Sequence, residues 1–253
     1  MPASTLPVSA VLITQNAASQ IEGCLDSLAF CAEILVVDSG SRDDTVARAR
    51  GRGARVIESE WRGFGPQKQF AVDQAANDWV LCVDADERVS PELRAAIAAA
   101  LAAPVHGAYR FARCNRFMGR YLRHGEGYPD WSLRLFDRRQ ARWSDDAVHE
   151  KVLADCPVGT LAGDLLHDSA ETLEHYLAKQ ERYTTLAAEE ALARGKRSGL
   201  LRMLLSPVVR FVKFYLVRLG FLDGWPGLVH ILIGCRNSYD KYAKMRVFRA
   251  RQT

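Results

Sequence analysis

Two carboxylates one residue apart, Asp84 and Asp86, follow the apolar run Trp79-Val80-Leu81-Cys82-Val83. As a buried strand, that run would carry them to the end at which open α/β sheets bind ligands. Acids placed together repel unless a cation lies between them. Hard divalent ions take one or two carboxylates together with substrate phosphates. Asp-x-Asp at this place therefore suits a metal–diphosphate site; the plain alternative is an acidic turn closing the strand. Two more polar loops follow apolar runs: Thr14-Gln15-Asn16 after Val8–Ile13, and Asp38-Ser39-Gly40-Ser41 after Glu33–Val37. Asp38 has the chemistry to accept from a nucleobase imide or a ribose hydroxyl, or from its own backbone within the turn.

The elements that must position these loops alternate along the first hundred residues. Strands are expected at Val8–Ile13, Glu33–Val37, Arg55–Glu58 and Trp79–Val83. Helical patterns lie between and after them, at Ser19–Phe30, Thr45–Arg50 and Pro66–Ala76, with Asp43 or Asp44 suited to cap the second. Ser90-Pro91-Glu92 opens a further helix through Leu101. Such alternation predicts an α/β fold with a largely parallel sheet, and right-handed crossovers bring the strand ends to one edge. After Pro104 the pattern changes. Strands are expected at Tyr109–Arg113 and Ser132–Phe136, then a polar stretch from Trp143 to Lys151, then a helix from Leu173 to Arg194. Gly195 is the expected boundary between residues 1–195 and a tail, 196–253.

With 48% hydrophobic and 25% charged residues, the 253-residue chain has the composition of a folded protein, not a disordered one. Its six cysteines show no C-x-x-C pair, and Cys82 lies inside an expected strand. A reducing, cytoplasmic setting fits this better than a disulfide scaffold. No secretory leader is expected, because Met1–Pro7 lacks a basic region and Val8–Ile13 is short.

The formal charge of +4 is unevenly spread: residues 196–253 hold 12 Lys and Arg against Asp223 and Asp240. Within the tail, Leu200–Leu222 is apolar at helical spacing but interrupted by Arg202, Arg210, Lys213 and Arg218, with Pro207 expected to kink it. A spanning helix needs about 20 predominantly apolar residues, so these cations argue against a span. Basic residues beside Phe, Leu and Trp suit a segment lying in the headgroup region of a membrane. Trp225–Gly234 adds a second apolar piece, too short to cross. The plain alternative is a pair of packed helices. No nucleic-acid-binding motif accompanies the charge, and no nucleic-acid partner is expected.

Val8-Ser-Ala-Val-Leu-Ile-Thr-Gln-Asn16, Ile34-Leu-Val-Val-Asp-Ser-Gly-Ser-Arg-Asp-Asp-Thr45 and Trp79-Val-Leu-Cys-Val-Asp-Ala-Asp-Glu87 together resemble the opening of a family 2 inverting glycosyltransferase of the GT-A fold. Trp61–Gln69, Pro129–Phe136 and Trp143–Glu150 narrow the likeness to the bacterial lipopolysaccharide core β-glucosyltransferases that add glucose to an inner-core heptose. The resemblance implies a Rossmann-like, mostly parallel mixed sheet flanked by helices, with residues 1–195 catalytic and 196–253 an amphipathic helical extension. It implies hexose transfer, from UDP-glucose as the expected donor, to a lipid A–core acceptor at the cytoplasmic face of the inner membrane.

Roles follow for matching positions. Asp38 would contact uracil, with Thr14, Asn16 and Ser41 nearby, and Lys68 would reach the diphosphate. Asp84 would lie near the ribose and donor sugar, and Asp86, with Asp84 beside it, would hold Mg²⁺ or Mn²⁺. Lys68 could otherwise be a solvated helix residue. Relatives commonly carry Asn-Glu where this chain has Asn16-Ala17, so any nucleotide contact of that Glu is missing.

One-step inversion also needs a general base near the acceptor hydroxyl. Asp145, Asp146, His149 and Glu150 are candidates. Glu150 or Asp146 is favoured as the base, with His149 near the metal or diphosphate. Asp130 and Trp131 are expected to position the acceptor, although Trp131 also suits a core. Arg116 and Arg123 lie in a basic, aromatic-rich loop fitted either to a phosphorylated acceptor or to solvent. Rival readings are a polyprenyl-phosphate glycosyltransferase and a non-catalytic, membrane-docked nucleotide-sugar-binding protein.

Overall fold

The computed structural model describes residues 5–146, 150–168, 172–196 and 198–250. The expected alternation is present: β1 (Leu6–Thr14), α1 (Ile21–Ser27), β2 (Cys31–Asp38), α2 (Thr45–Gly51), β3 (Arg55–Glu58), α3 (Phe64–Asp73) and β4 (Trp79–Cys82). There follow β5 (Glu87–Val89), α4 (Pro91–Ala102), β6 (Ala108–Phe117), β7 (Arg120–Tyr121), β8 (Asp130–Asp137), β9 (Ala141–Trp143), β10 (Val152–Ala154) and β11 (Val158–His167). The chain continues through α5 (Leu173–Ala193), α6 (Leu200–Phe211), a π-helical turn (Val212–Val217), a short 3₁₀ turn (Gly220–Asp223) and α7 (Gly224–Ala250).

One compact unit comprises Met1–Cys114 with Asp130–Asp168, the other Asn115–Pro129 with Ser169–Thr253. The division expected at Gly195 falls inside the second of these. The reason lies on α5: its small residues Ala188 and Ala191 are buried with Met245 of α7, which ties this helix to the tail.

The main sheet runs in the order β3-β2-β1-β4-β8-β6-β11-β5, with β7 paired to β6. β3, β2, β1 and β4 are parallel, whereas β8 pairs antiparallel with both β4 and β6. β1, β2 and β4 are mostly apolar because both of their faces are covered, whereas the edge strand β3 begins and ends on the exposed Arg55 and Glu58. Val8, Ala10 and Leu12 of β1 pack among Ile21, Leu25, Leu93 and Ile97 of α1 and α4. Val11, one residue out of phase, faces Ala71 and Val72 of α3 on the other side. This is the two-residue alternation of a strand serving two layers. Each fully buried large apolar side chain, such as Phe111 and Phe136, contributes about 1.5–3 kcal/mol. Ser90 caps α4 as expected, its Oγ accepting from Leu93 N–H at 3.2 Å.

β5 and β11 were not expected. They pair antiparallel, Glu87 opposite His167. Gly163 makes β11 fit, since at φ +90° its backbone passes so close to Leu93 that a Cβ would collide with the start of α4.

In the second unit, Pro207 sits within α6 without ending it, and the apolar piece from Trp225 continues as a 27-residue helix, α7. α6 and α5 both pack on α7. No described helix is long and apolar enough to cross a membrane.

Candidate active site

Parallel pairing sets the ends of three strands level. Thr14 lies opposite Asp38, and Val11 opposite Cys82, so the loops after β1, β2 and β4 share one edge. The first two loops are stitched together. Asn16, at φ 53°, donates its backbone N–H to Ser41 Oγ (2.8 Å), and its Oδ1 accepts from Arg42 N–H (2.9 Å). Ala17 and Ala18 donate their N–H groups to Thr45 Oγ1 and Asp43 Oδ2.

Asp38 is 1% exposed. Its Oδ1 accepts from Thr14 Oγ1 (3.0 Å) and Ser41 Oγ (2.5 Å), and its Oδ2 from the N–H groups of Gly40 (3.0 Å) and Ser41 (2.8 Å). Four donors fill the capacity of a carboxylate. Asp38, Thr14 and Ser41, the residues expected around uracil, hydrogen-bond to one another and hold the Ser39–Ser41 loop.

Asp84 is arranged differently. Lys68 Nζ stands 3.5 Å from Oδ1 and Arg134 Nη2 3.0 Å from Oδ2. Antiparallel pairing of β8 on β4 delivers Arg134, since Leu135 lies opposite Leu81. The chain of charges continues at both ends. Lys68 also meets Glu150 Oε1 at 2.9 Å. Glu87, fully buried, lies 3.6 Å from Arg134 and 3.7 Å from Arg113, which itself pairs with Asp130 at 2.9 Å. Lys68 is thus no solvated helix residue; only 9% of its side chain is exposed, and Nζ lies 4.7 Å from the Trp143 ring centroid.

Burial by itself would raise the Asp84 carboxyl, but Arg134 and Lys68 outweigh it and hold the group well below the usual carboxylate range. Burial pushes Glu87 up; Arg134 opposes that shift and the negative charge of Asp84 adds to it. The Cys82 thiol beneath is raised to about 11 by burial, which leaves it inert near neutral pH.

Asp84 and Asp86, expected to share a cation, have different partners among the described residues. They occupy a turn in which Glu87 N–H donates to Asp84 O (2.9 Å). Asp84 is drawn to Lys68 and Arg134, while Asp86 Oδ2 stands 3.2 Å from His167 Nε2. The pairing of β5 with β11 makes that contact, and Asp168 N–H donates to Asp86 O at 2.8 Å to close it. A carboxylate oxygen beside an imidazole nitrogen is a donor set suited to Mn²⁺, and to Mg²⁺ when phosphate oxygens complete the shell. Among the described residues no group of three His, Cys, Asp or Glu forms a fuller cage. The residues fit an ion shared with a substrate.

His167 was missed in the sequence; its signal was the alternation of Leu161, Gly163, Leu165 and His167, masked by two glycines in the strand. Of the base candidates, Glu150 joins the charge chain through Lys68. Asp145 and Asp146 are exposed, and the Asp146 carbonyl accepts from Gly65 N–H at 3.3 Å. His149 lies outside the described residues. Trp131 is 47% exposed, with the Arg110 guanidinium 5.3 Å from its ring centroid, so it is no core residue. Arg116 and Arg123 belong to the other compact unit from Asp130 and Trp131. There, Arg116 lies 5.9 Å from the Tyr121 ring, and Arg123 N–H donates to Asp223.

The model for glycosyl transferase family 2 matches residues 9–153. A lipopolysaccharide core biosynthesis glycosyltransferase, LpsC of Rhizobium meliloti (strain 1021), is 31% identical over 94% of each chain. An uncharacterized glycosyltransferase of Rickettsia bellii (strain RML369-C) is 29% identical over 96% of this chain and 87% of its own. Among solved structures, glucosyl-3-phosphoglycerate synthase of Mycobacterium tuberculosis, in complex with Mn²⁺, UDP and its product, superposes at TM-score 0.37. It is 27% identical over 44% of each chain. The strand-end acids, the mixed sheet and a match over more than half the length agree: this chain is a glycosyltransferase and belongs to glycosyl transferase family 2.

Proposed function

We propose that this enzyme transfers a hexose, with glucose from UDP-glucose as the leading donor, onto an inner-core heptose of lipopolysaccharide, with inversion. The observation that carries the reading is the Asp86–His167 pair, set on the same turn as the Asp84–Lys68–Glu150 chain. The name of the Rhizobium relative supports the acceptor class.

Displacement at an anomeric carbon gathers negative charge on the departing diphosphate. Asp86 and His167 would hold Mg²⁺ or Mn²⁺, which supplies Lewis-acid stabilisation of that charge. Lys68, fixed between Asp84 and Glu150, presents a further positive charge without reorganising. Glu150 is the general base of this reading: its carboxylate would accept the proton of the attacking hydroxyl, and the contact with Lys68 fixes its position. Asp130 and exposed Trp131 would orient a sugar acceptor, by hydrogen bonding and by stacking.

The test is UDP release and product analysis with a panel of nucleotide sugars, against core oligosaccharide and polyprenyl phosphate. Asp86→Ala and His167→Ala should each lower turnover on the order of 10²–10³-fold, the size of losing one electrostatic contact to a transition state. Their circular dichroism should stay unchanged. Full turnover in both variants would remove the metal role, and transfer to polyprenyl phosphate alone would replace the acceptor.

A further inference from the structure

The second unit carries a surface that the transfer reaction does not use. Along α6 and the π-helical turn, Leu201, Leu204, Leu205, Val208, Val209 and Val212 are all more than 40% exposed, with Leu201 at 71%. At about 100° per residue these positions form one continuous stripe. The opposite face of α6 packs on α7. The stripe has no cover within the unit.

Along one border of the stripe lies a cleft of about 570 Å³. Leu205, Val209 and Phe214 form its apolar wall, Tyr242 comes from α7, and Arg202 and Lys213 stand among its lining residues. Arg202 sits 5.8 Å from the Tyr242 ring and Lys213 Nζ 5.1 Å from the Phe214 ring. Among the described residues neither pairs with a carboxylate. Arg210, on the same cleft, is already committed to Glu126. Two cations without a carboxylate partner among the described residues thus border an apolar cleft beside an apolar stripe.

We propose that this face docks on an anionic phospholipid bilayer, with α6 lying in the headgroup layer. One lipid places its phosphate at Arg202 and Lys213 and an acyl chain in the cleft. The charge pattern selects this occupant. A second copy of the chain would bring Arg202 and Lys213 toward their own counterparts, in a segment that holds 12 basic and two acidic residues over 196–253. A small soluble anion would satisfy the cations but leave the stripe in water. The inference does not depend on the donor or acceptor proposed above.

Co-sedimentation of the full chain with vesicles of phosphatidylcholine, alone or mixed with phosphatidylglycerol, tests it. Binding should be strong to the mixed vesicles and weak to the neutral ones. Arg202→Ser with Lys213→Ser should weaken binding to mixed vesicles by about fivefold per residue. Leu205→Glu with Val209→Glu should abolish it, and soluble glycerol phosphate should not release the protein. Equal binding to both vesicle types, or full binding by the double serine variant, would overturn the proposal. So would release by glycerol phosphate, or a dimer in light scattering that the glutamate pair dissociates. Thermal unfolding identifies any variant that fails to fold; the serine pair, at exposed positions, then still decides.

Discussion

Asp38 and Asp84 stand at the ends of β2 and β4, the two strands that flank β1, yet they are satisfied in opposite ways. Asp38 collects four neutral donors, three of them from within three residues of itself. Asp84 draws on two cations brought by distant elements, Lys68 of α3 and Arg134 of β8. Neutral donors close a loop and leave nothing over. Alternating charges leave a field that a ligand can use, because each cation is shared between two acids. The same residue type is therefore held by neutral donors at the end of β2 and by cations at the end of β4.

The comparison can be broken most severely at Arg134. Arg134→Ala strips the nearest cation from buried Glu87 and one of two from Asp84. It should cost about 3 kcal/mol in urea unfolding, the low end for a buried carboxylate left uncompensated, because Asp84 retains Lys68 and some solvent. A cost near zero would mean that the charge chain is ornamental. Asp38→Ala should cost less, about 1–2 kcal/mol, since water can reach Gly40 N–H in the exposed part of the loop. Asp38→Ala should also weaken nucleotide affinity through the loosened loop while leaving the response to Mn²⁺ concentration intact. Thr14→Val, which removes a single neutral donor, should cost about 0.5–1 kcal/mol by the same measurement. Losses of equal size at Arg134 and Thr14 would erase the distinction between the two strand ends.

The parallel half of the sheet was legible from residues 8–83, where apolar runs punctuated by Gly and Asp leave little choice of element. The strand-end acids were legible too, as a set. What each acid does was not, because Asp38 and Asp84 differ only in partners that the fold supplies. Lys68 and Arg134 reach Asp84 across 16 and 50 positions of sequence. Glu87-Arg88-Val89 gave no strand signal because one of its two buried residues is an acid, Glu87, which the fold places beside Arg134 and Arg113. β11 was hidden by Gly159, Gly163 and Asp164, which tight packing demands and strand propensity disfavours. His167 went unseen with it.

The charge chain has a consequence for how a polyanion arrives. Among the described residues, Glu150, Asp84, Glu87 and Asp130 pair with Lys68, Arg134 and Arg113 while Asp86 pairs with His167, so these five carboxylates outnumber the three Lys and Arg side chains by two. A bare nucleotide diphosphate would approach against that field. On the proposed function, a divalent ion arriving with the diphosphate would offset part of this repulsion, so chelation should weaken nucleotide capture itself as well as turnover.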